Sequence, residues 1–114
     1  MIRVLCVFGT RPEAIKMAPV VRALAGRPAE FESRICVTGQ HREMLAQVME
    51  VFGLRADCDL ALMSHSQSPA EVASRVLALL PPVLRELRPD VVLVQGDTMT
   101  TFAAAFASHL ERIP

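Results

Sequence analysis

The sequence predicts one α/β domain built on a parallel sheet. Three observations carry that prediction. Short runs that are apolar at nearly every position, as strands covered on both faces require, recur at Arg3–Phe8, Phe31–Thr38 and Val91–Val94. Helical stripes of apolar residues stand between them. Each run also ends on a loop with a glycine, at Gly9, Gly39 and Gly96, before the next helical pattern begins. At 114 residues the chain has the length of a single domain.

Arg3–Phe8 is β-rich and apolar, so it is read as a buried first strand. From Glu13 to Ala25, Ile15, Ala18, Val21 and Leu24 recur at helical spacing, and Gly26 with Pro28 ends that helix. Phe31–Thr38, centred on Ile35, Cys36 and Val37, is the second strand, broken by Gly39. Gln40–Phe52 reads as a helix with Met44, Leu45, Val48, Met49 and Phe52 on one face, stopped at Gly53. Arg55–Ser66 has no clear period, though Leu60 and Leu62 are candidates for the core. Ser68, with Pro69 next and Glu71 three residues on, has the spacing of a capping box. The stripe Val72, Val76, Leu79, Leu80, Val83, Leu84, Leu87 follows, in phase past Pro81 and Pro82, which are expected to bend the helix without ending it. Pro89 and Asp90 turn the chain into a third buried strand, Val91–Val94. Gly96-Asp97-Thr98 is then a loop before a last helix, Met99–Leu110. Alternating strands and helices argue right-handed crossovers. A three-stranded sheet would leave an exposed edge, and the chain stops at Pro114 where a further strand is expected, so we read it as the first part of a longer protein.

Composition narrows the function. Twelve basic residues balance twelve acidic ones, so no bulk attraction to nucleic acid or membrane is implied. Tyr and Trp are absent, and the basic residues are scattered, which disfavours a nucleic-acid module. No signal peptide is visible, and the longest apolar run, Val76–Leu84, is too short for a bilayer. A cytoplasmic, soluble protein is expected. Cys6, Cys36 and Cys58 lack metal-like spacing, and Cys6 and Cys36 read as small buried hydrophobes. No metal cluster and no nucleophile elbow is present. With neither GxGxxG nor GxxxxGK[ST], tightly held NAD and P-loop chemistry are disfavoured.

The chemistry concentrates where strands give way to helices. In a parallel sheet those turns share the carboxyl edge, where open α/β sheets bind ligands. Phe8-Gly9-Thr10-Arg11-Pro12-Glu13 places a glycine, a hydroxyl, a permanent cation and a carboxylate in one such turn, and Lys16 adds a second cation. Backbone N–H groups at the helix starts attract anions, and Arg11 can pair bidentately with phosphate while Lys16 acts as a point charge. A site for a nucleotide or sugar phosphate is one reading; the other pairs Arg11 with Glu13 in solvent. Asp97 is read either as an N-cap or as an acid, base or acceptor for substrate. Gln40 and His41 follow the second strand and face the same edge. For Arg42 and Glu43 a solvated first helical turn is preferred, and for His65 and His109 surface or capping roles.

Three blocks carry a resemblance: VFGTRPEAIKMAPVV at 7–21, VTGQHREML at 37–45 and PDVVLVQGDTMTTFAAA at 89–105. In this order and spacing the chain resembles, over essentially its whole length, the N-terminal domain of the non-hydrolysing UDP-N-acetylglucosamine 2-epimerases. The resemblance implies a Rossmann-like parallel sheet flanked by helices, as the N-terminal half of a two-domain glycosyltransferase-B fold. Residues 1–114 would form that domain, with the UDP-binding domain outside the chain. It implies interconversion of UDP-N-acetylglucosamine and UDP-N-acetylmannosamine by eliminating UDP to a 2-acetamidoglucal and adding UDP back, without nicotinamide or catalytic metal. It further implies a homodimer in the full-length form and service in cell-envelope polysaccharide synthesis. Arg11 and Lys16 match substrate contacts that stabilise the departing diphosphate, and Asp97 matches an active-site acid. Gln40 and His41 match a segment that binds an activating UDP-N-acetylglucosamine in some bacterial members. Glu43 and Ser66 stand here for those members' glutamine and basic residue, and Met99 for a threonine of GDTTTT. Because family members are roughly three times as long, well beyond one domain, the isolated chain is expected not to turn over. The alternatives are a UDP-sugar binding module without catalysis, a glycosyltransferase of the same architecture, and the hydrolysing 2-epimerase.

Overall fold

In the computed structural model, which describes residues 1–39, 42–62 and 67–114, the apolar N-terminal run lies at the centre of the sheet. The elements are β1 (Ile2–Phe8), α1 (Arg11–Ala25), β2 (Phe31–Val37), α2 (Arg42–Phe52), β3 (Cys58–Asp59), α3 (Pro69–Leu87), β4 (Val91–Leu93) and α4 (Met99–Leu110). All strand pairings are parallel, in the order β3-β2-β1-β4, with Val4 beside Val91, Cys6 beside both Leu93 and Ile35, and Phe8 beside Val37. The fold is Rossmann-like.

The period-2 alternation of a strand divides β1 between two cores. Val4, Cys6 and Phe8 face α1 and α2, packing with Ile35, Val37, Ala14, Met17, Val21, Leu45 and Met49. Leu5 and Val7 face α3 and α4, packing with Leu62, Val76, Leu80, Leu84, Ala103 and Ala107. Burying a leucine or valine of this kind contributes about 1.5–3 kcal/mol each, so the two-sided core is the main support of the domain. The alanines of α4 let that helix lie close against the sheet.

Several readings of the sequence are corrected. Ile15 was expected in the core but is 46% exposed, and the buried face of α1 is Ala14, Met17, Ala18 and Val21. Steps of three residues drift round a helix, whereas the i, i+3, i+4, i+7 set stays on one side. Met44 (50%) and Leu79 (39%) also point outward from otherwise well-read stripes. The last strand has three residues and is half-buried, because β4 is an edge of the sheet. A fourth strand, β3, lies inside the stretch read as irregular; two residues are too short to show alternation. The expected members Leu60 and Leu62 do enter the core. α1 begins at Arg11 and α2 at Arg42, while Gln40, His41, His65 and Ser66 fall outside the described residues. As read, Ser68 caps α3, its hydroxyl accepting from the Glu71 N–H at 3.2 Å, and the helix continues through Pro81 and Pro82. Among the described residues, no helix is long and apolar enough to cross a membrane.

Candidate functional site

The chain moves from β1 outward to β2 and β3, then returns to place β4 on the other side of β1. That reversal makes the carboxyl ends of β1 and β4 the switch point of the sheet, the place where such folds open a crevice for ligands. Two loops meet there, Gly9-Thr10 ahead of α1 and Gly96-Asp97-Thr98 ahead of α4.

Glu13 joins them. Its side chain is 2% exposed, the one buried charged side chain among the described residues. Oε1 accepts from the Gly9 N–H (3.2 Å), the Thr10 N–H (3.0 Å) and the Thr10 hydroxyl (2.8 Å). Oε2 accepts from the Thr98 hydroxyl at 2.9 Å, across 85 residues. The Thr101 hydroxyl lies 3.3 Å from the same oxygen but gives its proton to the nearer Gln95 carbonyl at 2.9 Å. A carboxylate buried here sits at the positive end of α1 and beside that of α4, with four donors in place, so its burial is compensated without a basic partner.

Two glycines make the meeting possible. A Cβ on Gly9 would stand 2.1 Å from the Thr38 hydroxyl oxygen and 3.3 Å from that of Thr100, so the loop passes where no side chain fits. Gly96 has φ +100°, a conformation that side chains rarely adopt, and a Cβ there would meet Glu13 Cγ at 3.7 Å. Thr38 and Thr100 are themselves buried, with hydroxyls that have no hydrogen-bond partner among the described residues.

Three sequence readings change at this point. Arg11 and Glu13 are not paired, because the carboxylate is turned inward to the loops. The N–H groups of Gly9 and Thr10, read as an anion site, already hold an anion, which is Glu13. Asp97 is not the N-cap; Thr98 is, its hydroxyl accepting from the Thr101 N–H at 3.3 Å. Arg11, Lys16 and Asp97 are exposed, and none has a hydrogen bond or ion pair with another described residue. Arg3, Arg27, Arg34 and Arg85, by contrast, are each paired with a glutamate. Arg11 also borders a hollow of about 360 Å³ between α1 and α2, lined by Ile15, Gln47, Val48, Val51 and Phe52.

The thiols are kept away from this edge's chemistry. Burial pushes Cys6 up to about 11, and burial first, then the neighbouring Cys58, pushes Cys36 up as well. All three cysteines are free.

Open α/β sheets bind their ligands at the switch point, where this Rossmann-like domain presents two cations and a carboxylate. The comparisons go further. Residues 22–114 match the family model described as UDP-N-acetylglucosamine 2-epimerase. A UDP-N-acetylglucosamine 2-epimerase of Yersinia pestis is 57% identical over 112 residues, covering 98% of this chain and 30% of the relative. That of Escherichia coli K12 is 55% identical over the same shares. Among solved structures, UDP-GlcNAc 2-epimerase from Neisseria meningitidis bound to UDP-GlcNAc superposes with a TM-score of 0.94 at 50% identity, over 99% of this chain and 30% of that one. The Methanocaldococcus jannaschii enzyme in complex with UDP-GlcNAc and UDP gives 0.89 at 32% identity, over 98% and 31%. The chain belongs to the UDP-N-acetylglucosamine 2-epimerase family. It spans about 30% of the length of the relatives it matches.

Proposed function

We propose that these 114 residues are the N-terminal part of a UDP-N-acetylglucosamine 2-epimerase and form one wall of its active-site cleft. The observation that carries this reading is the switch point itself, where Arg11 and Lys16 at the start of α1 and Asp97 in the loop ahead of α4 are presented without partners among the described residues, on elements held together from behind. Its support beyond geometry is the solved relatives bound to UDP-GlcNAc, or to UDP-GlcNAc and UDP.

Epimerisation at C2 requires a hydrogen that is not acidic to leave and return. Elimination solves this: C2–H and C1–O break, the proton passes to a base, and the C1–O electron pair departs with UDP. Re-addition of UDP at C1, with protonation of C2 from the opposite face, gives the epimer. Charge grows on the diphosphate as C1–O breaks, so Arg11 and Lys16, positioned as free cations, stabilise that stage more than the bound substrate. Asp97 acts at the sugar, as the proton-transfer group or as an acceptor for a hydroxyl. The opposing wall, with the uridine site, belongs to a second domain, and the isolated 114 residues bind UDP-sugar without turning it over.

The test is a chimaera in which this chain replaces the matching segment of the Escherichia coli relative. It is expected to interconvert the two UDP-sugars. Arg11→Ala and Lys16→Ala should each lower kcat/KM by about 10²–10³-fold, the scale of losing a charged group that acts on developing charge. Asp97→Asn should lower kcat by more than it changes KM if Asp97 moves a proton, and raise KM if it only holds the sugar. An inactive but folded chimaera, or UDP accumulating with free N-acetylmannosamine, would sink the reading, the second outcome in favour of a hydrolysing enzyme.

A further inference from the structure

The resting chemistry of the site uses Arg11, Lys16 and Asp97, yet the most heavily bonded side chain at the switch point is none of these. We propose that Glu13 is a positioning residue, an internal anion that clamps the α1 and α4 loops and thereby sets Arg11 against Asp97. The inference rests on the reading of Arg11 and Asp97 given above.

The argument starts from what holds those two exposed side chains in place. Neither has a partner of its own among the described residues, so each is located by its backbone. Arg11 sits between Thr10, which gives both its N–H and its hydroxyl to Glu13, and Pro12, whose φ is fixed by its ring. Asp97 sits between Gly96, where an added Cβ would lie 3.7 Å from Glu13 Cγ, and Thr98, which gives its hydroxyl to Glu13. One carboxylate therefore fixes the flanks of both groups, one on each oxygen. The loops approach each other where β1 and β4 end, and the β1–β4 ladder stops at Cys6 and Leu93, short of either loop. Beyond that point the Thr98–Glu13 bond ties the two helix starts.

The chemistry asks for a carboxylate in particular. Two of the four donors are backbone N–H groups, which can only donate, and both meet Oε1. A glutamine would keep oxygen on that side and turn its NH₂ toward Thr98. The Thr98 hydroxyl would lose this carboxylate oxygen as its acceptor and would have to turn its proton to the Thr101 hydroxyl, 3.3 Å away. The remaining bonds would also lose charge assistance, which roughly doubles their strength. Glu13 has a second effect: by occupying the Gly9 and Thr10 N–H groups it prevents a substrate phosphate from settling on the backbone there. The diphosphate is thus left to Arg11 and Lys16, whose hold can strengthen as charge develops.

The experiment uses the 114-residue chain, followed by its amide NMR signals and titrated with millimolar UDP-N-acetylglucosamine. Glu13→Gln is expected to keep a dispersed, folded spectrum. It should move the amides of Gly9 and Thr10 together with those of Thr98 and Thr101, and weaken UDP-N-acetylglucosamine binding about tenfold, the scale of one charge-assisted bond. Glu13→Ala should weaken it further, and sodium formate, a carboxylate small enough for the space, should restore both the Thr98 and Thr101 signals and the binding. Sodium chloride at equal ionic strength should not. The positioning role is overturned if Glu13→Gln binds as the unsubstituted chain does, or if formate recovers the melting temperature while binding stays weak. Failure of the unsubstituted chain to bind at all overturns instead the reading of Arg11 and Asp97.

Discussion

Thr10-Arg11-Pro12-Glu13 and Ser68-Pro69-Ala70-Glu71 open two helices with the same grammar: a hydroxyl at the N-cap, a proline in the first turn, a glutamate at the third position. Their fates differ. Glu71 is exposed, and its exchange with Ser68 is local, the hydroxyl 3.2 Å from Oε1 and accepting from the Glu71 N–H. Glu13 is buried and reaches a threonine at the start of another helix. A capping motif on a surface helix stabilises that helix. The same motif at a sheet's switch point joins two elements, because a second helix start lies opposite and supplies a further donor. Tertiary placement, rather than the motif, decides which role it has.

The sharpest way to break this comparison is to truncate both glutamates. Glu13→Ala leaves two N–H groups and two hydroxyls without their acceptor and should cost about 3 kcal/mol, while Glu71→Ala should cost about 0.5 kcal/mol or less. Urea denaturation of the two variants measures the gap; equal losses would mean that the α1 corner is only a cap.

A second effect of similar size contrasts Glu13 with Cys6, which is as deeply buried on the adjoining strand but is surrounded by apolar walls. Its thiol is pushed up to about 11 in the folded chain from an ordinary value of 9.0. A raised folded value means that the stabilisation is complete below about pH 9 and is lost as pH rises towards 11, by about 2–3 kcal/mol. Denaturation midpoints from pH 7 to 11 should fall in the unsubstituted chain and fall less in Cys6→Ala.

Gly9→Ala comes next. Its methyl would overlap the Thr38 hydroxyl, and overpacking of this kind costs about 2 kcal/mol. Thr38→Ala removes the obstruction, so the double variant should recover part of the loss; strictly additive losses would show that the close approach is not the cause. The smallest effect is expected on the surface motif: Ser68→Ala should lower stability by about 1 kcal/mol, leaving UDP-N-acetylglucosamine binding unchanged.

Most of the architecture was legible because its signals are local. The apolar runs around Cys6 and Cys36 and the stripe from Val72 to Leu84 register within a few residues of themselves, and all three elements form where expected. β3 was not, since Cys58 and Asp59 become a strand only through their pairing with Cys36 and Val37. The site divided in the same way. Arg11 and Asp97 stood out as charges in turns between strand and helix, and Lys16 as a cation on the helix that follows the first of them. The Thr10–Glu13 spacing was as visible as that of Ser68 and Glu71, but the burial of Glu13 depends on Thr98, at a sequence separation of 85 that no local pattern records. Of the two readings of Asp97, the N-cap of α4 falls one residue early, because aspartate and threonine both cap helices and only backbone geometry separates them.

The Thr98–Glu13 bond also has a consequence in time. Synthesis runs at about 5–20 residues per second, so on a growing chain Thr98 follows Glu13 by roughly 4–17 s. Through that interval β1 and α1 can form, but the carboxylate has no distant donor and the corner behind Arg11 stays open to water. Contacts between residues this far apart also close late in folding, after local helices and neighbouring strands have formed. The switch-point edge is therefore among the last parts of the domain to be completed, and it exists only once α4 has docked.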